Sequence, residues 1–281
     1  MHQPTRREPT YVLGSSDAET WRLMIQADLY GQTTRRFLED AGVTSSMRVL
    51  DVGSGAGDVT FLAAELVGPS GAVVGVDVNP AVLATARARA LAEGRDNVVF
   101  VEGDCRTAAL DHDFDAAIGR FVLMHTSDAS EALRAIVARV RSGGIVAFAE
   151  GDFATALGYA QAGPAGLVRS LWDWAAELWR RLELPIAMAP VLCRAFAEAG
   201  LGMPHMFLHS PLGCRDDWLG YEVDAESARS IVPLLERFGI VTGEVLDVDT
   251  LADRYRAEVV RTGFPFMLLP LVTAWARKPV S

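Results

Sequence analysis

VLDVGSGAGD, residues 49 to 58, decides the reading of this chain. An apolar run ends in glycines at 53, 55 and 57, and a helical pattern, DVTFLAAELVG, follows at once. A short buried strand therefore turns tightly into a helix. Glycine has no Cβ, so the turn can be sharp and a ligand can approach its backbone closely. The helix start adds N–H groups with no intrahelical partner. Dinucleotide-binding proteins place a G-x-G-x-x-G turn at the same point of the fold. The spacing here is G-x-G-x-G, with Asp51 two residues before the first glycine.

Outward from this turn, short apolar runs alternate with helical segments. MRVLDVG and AVVGVDV read as strands, and Asn79-Pro80 is a cap followed by a proline at the first helical position. The helix PAVLATARARALAEG ends at Gly94. NVVFVEGD, FDAAIGR and GGIVAFAEG are the next three strands, and Asp128 and Glu131 have capping-box spacing before EALRAIVARV. Strands alternating with helices predict an α/β fold with a parallel sheet covered on both faces. After Gly151 the chain reads as the Trp-rich helix PAGLVRSLWDWAAELWRRLEL, the helix PVLCRAFAEAG and the strand MPHMFLHSP. The helices SARSIVPLLERFG and TLADRYRAEVVRTG and one closing strand, FPFMLLPLVTAWARK, follow. Upstream, Asp17 is placed to cap a helix through TWRLMIQADLY, and a second helix covers TTRRFLEDAG. The expected organisation is an N-terminal helical lid over 1–46 and one domain over 47–281, with its cofactor-binding part at 47–150.

Three further features stand in register with the glycine turn. Asp77 ends the second strand, 20 residues beyond Gly57, where a carboxylate can accept from both hydroxyls of a ribose. Its other reading, a cap for the next helix, is weaker because Asn79 is better placed for that. Glu102-Gly103-Asp104 ends the third strand. Asp104 can accept from an adenine amino group and the Cys105 N–H can donate to a ring nitrogen, although such a triplet is also a common loop. Gly119-Arg120-Phe121 ends the fourth strand, where open α/β sheets bind ligands, and its carbonyl groups can hold an ammonium.

VLDVGSGAGD, GVDVNP, EGD and IGRFVLMH, in this order over residues 47 to 150, resemble the successive motifs of the class I S-adenosylmethionine-dependent methyltransferases. The resemblance implies a Rossmann-like, seven-stranded, mostly parallel sheet with a reversed last strand and a helical insertion between the last strands. It implies that Asp51, Gly53 and Gly55 hold the methionine portion of S-adenosylmethionine, Asp77 the ribose, Asp104 the adenine amino group and the Arg120 backbone the ammonium. Val78 would pack on the adenine. The N-terminal helix with Trp21, Arg22 and Gln26 resembles the lids of small-molecule members, and Arg22 would pair with the methionine carboxylate or simply face solvent. Residues 151–281 would then shape the acceptor site.

Methyl transfer from a sulfonium is an in-line displacement, so the protein mainly aligns acceptor and donor and excludes water. A base is needed only for an acceptor whose proton hinders attack. His125, in RFVLMHTSD, is the candidate base, with loop packing as its equal alternative. Tyr11 and Tyr30 are candidates for lining the acceptor pocket from the lid, Tyr11 also for the chemistry. Trp172, Trp174 and Trp179 would lie over the acceptor end of the cleft, with helical spacing making at least one of them core. His205 and His209 lie on a strand without an adjoining carboxylate, so no metal is expected. The Asn-Pro-Pro-Tyr type of motif found after the fourth strand in members acting on exocyclic amines is replaced by IGRFVLMH. The expected acceptor is a small, aromatic molecule of quinone or natural-product metabolism, methylated on carbon, nitrogen or oxygen.

Composition narrows the partners. The net charge is -10, and Lys278 is the only lysine, so no nucleic-acid partner is expected. The apolar stretch Phe264 to Ala276 is too short to span a bilayer and is interrupted by Pro265 and Pro270. Three cysteines without a CxxC pair fit a reducing, cytoplasmic setting. A homodimer is allowed. Two other readings stay open. An NAD-dependent oxidoreductase would share the turn and the ribose acid, and a non-catalytic cofactor-binding subunit would share every motif.

Overall fold

The computed structural model describes the backbone of residues 17–280 and the side chains of residues 25–280. In chain order the elements are α1 (Asp17–Ala41), β1 (Arg48–Val52), α2 (Asp58–Val67), β2 (Ala72–Asp77), α3 (Pro80–Ala92), β3 (Val98–Glu102) and β4 (Phe114–Arg120). After a short 3-10 turn, Leu123–His125, come α4 (Ala129–Val137), β5 (Val140–Gly151), α5 (Phe153–Ala162), α6 (Leu167–Arg181) and α7 (Met188–Glu198). The chain continues with β6 (His205–His209), β7 (Leu212–Gly213), α8 (Gly220–Arg237), α9 (Gly243–Leu246), α10 (Val248–Thr262), β8 (Phe266–Met267) and β9 (Leu271–Arg277).

Seven strands form one sheet in the order β3-β2-β1-β4-β5-β9-β6. β1 pairs in parallel with β2 and β4, while β9 runs antiparallel between β5 and β6. This is the Rossmann-like sheet with a reversed last strand. The central strands are near-continuous apolar runs because helices cover both faces: Val49, Leu50, Ala116, Ala117, Ile118 and Ala147 are all fully buried. The strand order reverses between β1 and β4, and right-handed crossovers place α2 and α3 on one face and α4 on the other. That reversal opens a crevice at the carboxyl ends of β1 and β4.

The capping signals act as the sequence suggests. Asn79 accepts from the Ala81 N–H at 3.0 Å, and Asp128 accepts from Glu131 at 2.8 Å. A cap missed in the sequence is Asp152, which is 3% exposed and serves two helices. It accepts from Thr155 at the start of α5 and, through its other oxygen, from Met188 at the start of α7. Asp152→Ala orphans both helix starts, and an unfolding midpoint shift worth about 2–4 kcal/mol is expected in urea titration.

Three expectations need correction. The two N-terminal helices are one helix, α1, which runs through Gly31. A glycine costs only about 1 kcal/mol in a helix interior, and buried Tyr30, Thr34, Phe37 and Leu38 hold both halves against the body. The closing strand is two strands. Pro270 cannot donate to a ladder, so β8 leaves the sheet and pairs with β7, and β9 starts at Leu271. The stretch FATALGYAQA, unassigned in the sequence, is α5. The remaining insertion, α8 to α10, lies between β7 and β8.

Candidate active site at the carboxyl ends of the strands

β1 delivers Asp51 and the glycine turn to the centre of the crevice. The Gly53 and Ser54 N–H groups bond to Val76 O of β2, which holds the turn down on the sheet. The glycines do different work. A Cβ on Gly53 would lie 2.6 Å from Val122 Cγ2, so this glycine lets the loop after β4 pack on the turn. Gly55, at φ +53°, has open space where a Cβ would stand, and this is the face a ligand can approach.

Asp77 lies beside that open face. One of its oxygens accepts from the Gly55 N–H at 2.9 Å and the other from the Asn79 N–H at 2.9 Å. Burial raises its pKa, an effect these backbone N–H groups oppose. The carboxylate is thus fixed in orientation, with lone pairs left for further donors. Val78 next to it is 53% exposed, an apolar side chain bared at the crevice. The loop after β3 is tied to the same point, Gly103 donating to Asp77 O at 2.9 Å. Asp104 there is held by Arg106, whose guanidinium and backbone N–H both donate to it and keep it below the usual carboxylate range. Cys105 is half-buried, and burial pushes its thiol up to about 11.

Asp51 is 1% exposed. The Thr60 hydroxyl donates to its Oδ2 at 2.5 Å, while Oδ1 is buried without a partner. Burial pushes its carboxyl up to about 7, against the opposing pull of Thr60 and of the Arg120 charge. Arg120 ends β4 and donates to Thr34 Oγ1 of α1 at 2.9 Å. Gln26, Tyr30 and Thr34 recur every four residues along α1 and are all buried, so one face of the helix turns to the crevice. Tyr30 donates its hydroxyl to Leu269 O at 2.8 Å, and its ring meets Phe121 edge-on at 5.6 Å.

The loop after β4 depends on a residue the sequence reading missed. Glu150, fully buried near the end of β5, accepts from the N–H groups of Val122 (2.9 Å), Leu123 (3.0 Å) and Met124 (3.2 Å). This carboxyl thereby sets the turn that carries His125. The turn needs such a clamp because Phe121 enters it at φ +59°, a conformation costly for an aromatic residue. A glutamate inside an otherwise apolar strand, AFAEG, was the available signal. His125 is half-buried with its ring 6.1 Å from that of Trp179. Trp179 and Trp172 both pack on Phe153, as core, while Trp174 is only partly covered.

The structure thus gathers Asp51, Gly53, Gly55, Asp77, Val78, Asp104, Cys105 and Arg120 at the carboxyl ends of neighbouring strands and on the loops after them, with Gln26 buried on α1. His125 follows on the same loop as Arg120. Tyr11 and the side chain of Arg22 lie outside the described residues.

Glu150 and, in α8, Asp224 are also pushed up to about 7 by burial. With Asp51 they bind a proton more tightly folded than unfolded. Their contribution to stability is full below the ordinary carboxylate range and is lost as pH rises through about 7. A melting temperature that falls between about pH 4 and 7 is therefore expected, with a shallower fall in Asp224→Asn. A flat or rising profile in the parent protein would contradict this origin.

A crevice built at the switch point of such a sheet, with a glycine turn and a ribose-height carboxylate, defines a Rossmann-like nucleotide-cofactor fold. Residues 43–174 match the family model described as Methyltransferase domain. Over 113 residues the chain is 38% identical to a protein named ubiquinone/menaquinone biosynthesis C-methyltransferase UbiE from Pseudomonas paraeruginosa. That match covers 39% of this chain and 44% of the relative, so less than half of either protein is compared. Two solved structures share the fold. The [4+2]-cyclase SpnF has a TM-score of 0.54 at 20% identity, covering 89% of this chain and 81% of that one. The geranyl diphosphate C-methyltransferase of Streptomyces coelicolor A3(2) has a TM-score of 0.55 at 17% identity, covering 94% and 84%. Among the described residues no helix is long and apolar enough to cross a membrane, and no cluster of side chains could hold a metal ion.

Proposed function

We propose that the chain transfers a methyl group from S-adenosylmethionine to a small, largely apolar molecule in quinone or natural-product metabolism. The observation that carries this reading is the pairing of Gly55 with Asp77: a fixed carboxylate beside a backbone face left open for a ligand. The residues fit the cofactor. The orphaned Asp51 Oδ1 is a buried acceptor in need of a donor, and a Cβ at Gly55 would fill the space the ligand needs. Asp77 would accept from the ribose hydroxyls, Val78 would cover the adenine, and Asp104 would accept from its amino group. When bound, the cofactor supplies an electrophilic methyl group on a sulfonium. The chain's own part is to orient the acceptor and keep water away.

The acceptor side would be lined by the half-buried Phe121, Leu269 and His125, with the buried Met124 and Trp179 packed behind them. Leu269 and Met124 both crowd Gly151. Such a lining favours an aromatic or aliphatic acceptor over a charged one. The name of the Pseudomonas relative, a C-methyltransferase, supports carbon as the atom methylated. Three cysteines without a CxxC pair support action in the cytoplasm. The SpnF likeness favours one second reading, a protein that binds the cofactor and catalyses something other than methyl transfer, because the fold does not choose the reaction.

A labelled-methyl assay over quinols, phenols, indoles and amines, run beside calorimetry with S-adenosylhomocysteine, tests the proposal. Binding with transfer to a quinol or phenol is expected. Binding with no transfer to any acceptor favours the second reading, and heat with NAD alone refutes both. In the active system, His125→Ala is expected to lower kcat about 100-fold and leave cofactor affinity within about twofold. An unchanged kcat removes His125 from the chemistry.

A further inference from the structure

We propose that two copies of this chain pair through the outer edge of β6, antiparallel about a two-fold axis at Phe207, so that their sheets join into one. The proposal is independent of the reaction the chain performs.

β6 closes the sheet on one side, and among the described residues it pairs with β9 alone. Thr273 Oγ1 donates to Phe207 O at 3.3 Å, so the Phe207 carbonyl turns toward β9. By antiparallel alternation, Met206 and Leu208 then present their N–H and C=O groups outward. Open edges are normally blunted by charge, proline or a covering element. The opposite edge of the sheet is guarded in this way: Arg87 of α3 donates to Phe100 O of β3, and β3 ends in Glu102. The five residues of β6, HMFLH, include no Asp, Glu, Lys, Arg or Pro. Phe207 and Leu208 are 55% and 53% exposed there.

The features of the strand select a second copy as the occupant. HMFLH reads alike in both directions: histidine at each end, an aliphatic side chain on each side of the centre, and Phe207 in the middle. In the two-fold pair, Met206 faces Leu208 of the partner subunit, and His205 faces His209 of the partner subunit. Every outward backbone group of Met206 and Leu208 then finds a partner. The strand brings no acid to an acid, although the chain carries a net charge of -10 and much of its surface would repel a copy of itself. The rings extend the match. Trp275 of β9 stacks on His205 at 5.6 Å and on Phe207 at 5.7 Å, and Phe207 stacks on His209 at 6.0 Å. Pairing adds Phe207 of the partner subunit to this row, at the close spacing of a non-hydrogen-bonded pair, about 4.5 Å between Cα atoms. Met203 and Leu212 flank the strand and are also more than half exposed. Covering these two with Phe207 and Leu208 removes about 500 Å² per protomer, so a pair reaches about 1,000 Å², where specific interfaces begin. A dissociation constant of about 1–100 µM is expected from an interface of this size.

Sedimentation velocity of the full chain at neutral pH, between about 1 and 200 µM, tests the pairing. The parent should pass from monomer to dimer across that range. Phe207→Lys sets like charges on the axis and should stay monomeric throughout, with its circular dichroism unchanged. Crosslinking reads the register, in a Cys214→Ser background because Cys214 is exposed. Phe207→Cys should give a disulfide-linked dimer under mild oxidation, since a residue on the axis meets its own copy at a distance a disulfide can span. His205→Cys and His209→Cys should each stay uncrosslinked alone and crosslink when mixed. If Phe207→Lys fails to fold, this series decides alone. A parent that remains monomeric overturns the proposal, as does a dimer that survives in folded Phe207→Lys. A Phe207→Cys protein that forms no crosslink, or a His205→Cys protein that crosslinks to itself, also overturns it.

Discussion

Replacing Asp77 by alanine is expected to weaken S-adenosylhomocysteine binding about 100-fold or more, with little change in fold stability. On the function proposed above, two charge-assisted hydrogen bonds to ribose hydroxyls would be lost, each worth about 1.5–3 kcal/mol. The substitution also frees the Gly55 N–H, so the glycine turn loses the group that fixes its open face. Asp77 is partly exposed at the crevice, and water can satisfy the two released N–H groups in the unliganded protein. That is why the effect should fall on affinity. Asp77→Asn, which keeps one acceptor oxygen, should lie between the parent and the alanine variant. Calorimetry checks the series, and a change of less than about threefold in Asp77→Ala would remove Asp77 from the binding site.

Glu150→Ala should be the most destabilising single change in this half of the sheet, by about 3–5 kcal/mol. Three backbone N–H groups lose their acceptor in a place closed to bulk water. The strained Phe121 backbone then has no clamp, and Val122 can leave its seat on Gly53. Two measurements separate this from a plain cavity effect. Urea titration gives the stability loss, while the histidine resonances report whether His125 moves. Glu150→Gln retains an acceptor oxygen and should recover part of both. A Glu150→Ala protein within about 1 kcal/mol of the parent would show that the loop holds itself.

The cofactor half of the fold was legible because its signals are local. A glycine turn, a strand-ending acid and an Asn-Pro helix start each announce themselves within a few residues. The rest depends on contacts distant in sequence. Glu150 is meaningful only beside the N–H groups of residues 122–124, and Asp152 only beside Met188. Arg120 looked like a backbone position until α1 brought Thr34 within reach of its guanidinium. The break in the closing strand at Pro270 was visible as a proline, but the destination of β8, a ribbon with β7, was not. α1 misled through Gly31, because local propensity suggests a stop and packing against the body overrules it.

The position of β9 also bears on how the chain reaches its folded state. The last strand to be synthesised in this sheet is an interior one, and it must slide between β5 and β6. Until it arrives, both neighbours present bare edges, and Leu269 is absent as the anchor for Tyr30 of α1. A ribosome-bound chain carrying residues 1–260 would therefore hold a sheet ending at β5, with β6 unpaired and the first helix short of its Leu269 anchor. Folding should be slow for the chain's size, since its decisive pairings are long-range. Such an intermediate, rich in unpaired strand edges, is the species most exposed to aggregation during expression.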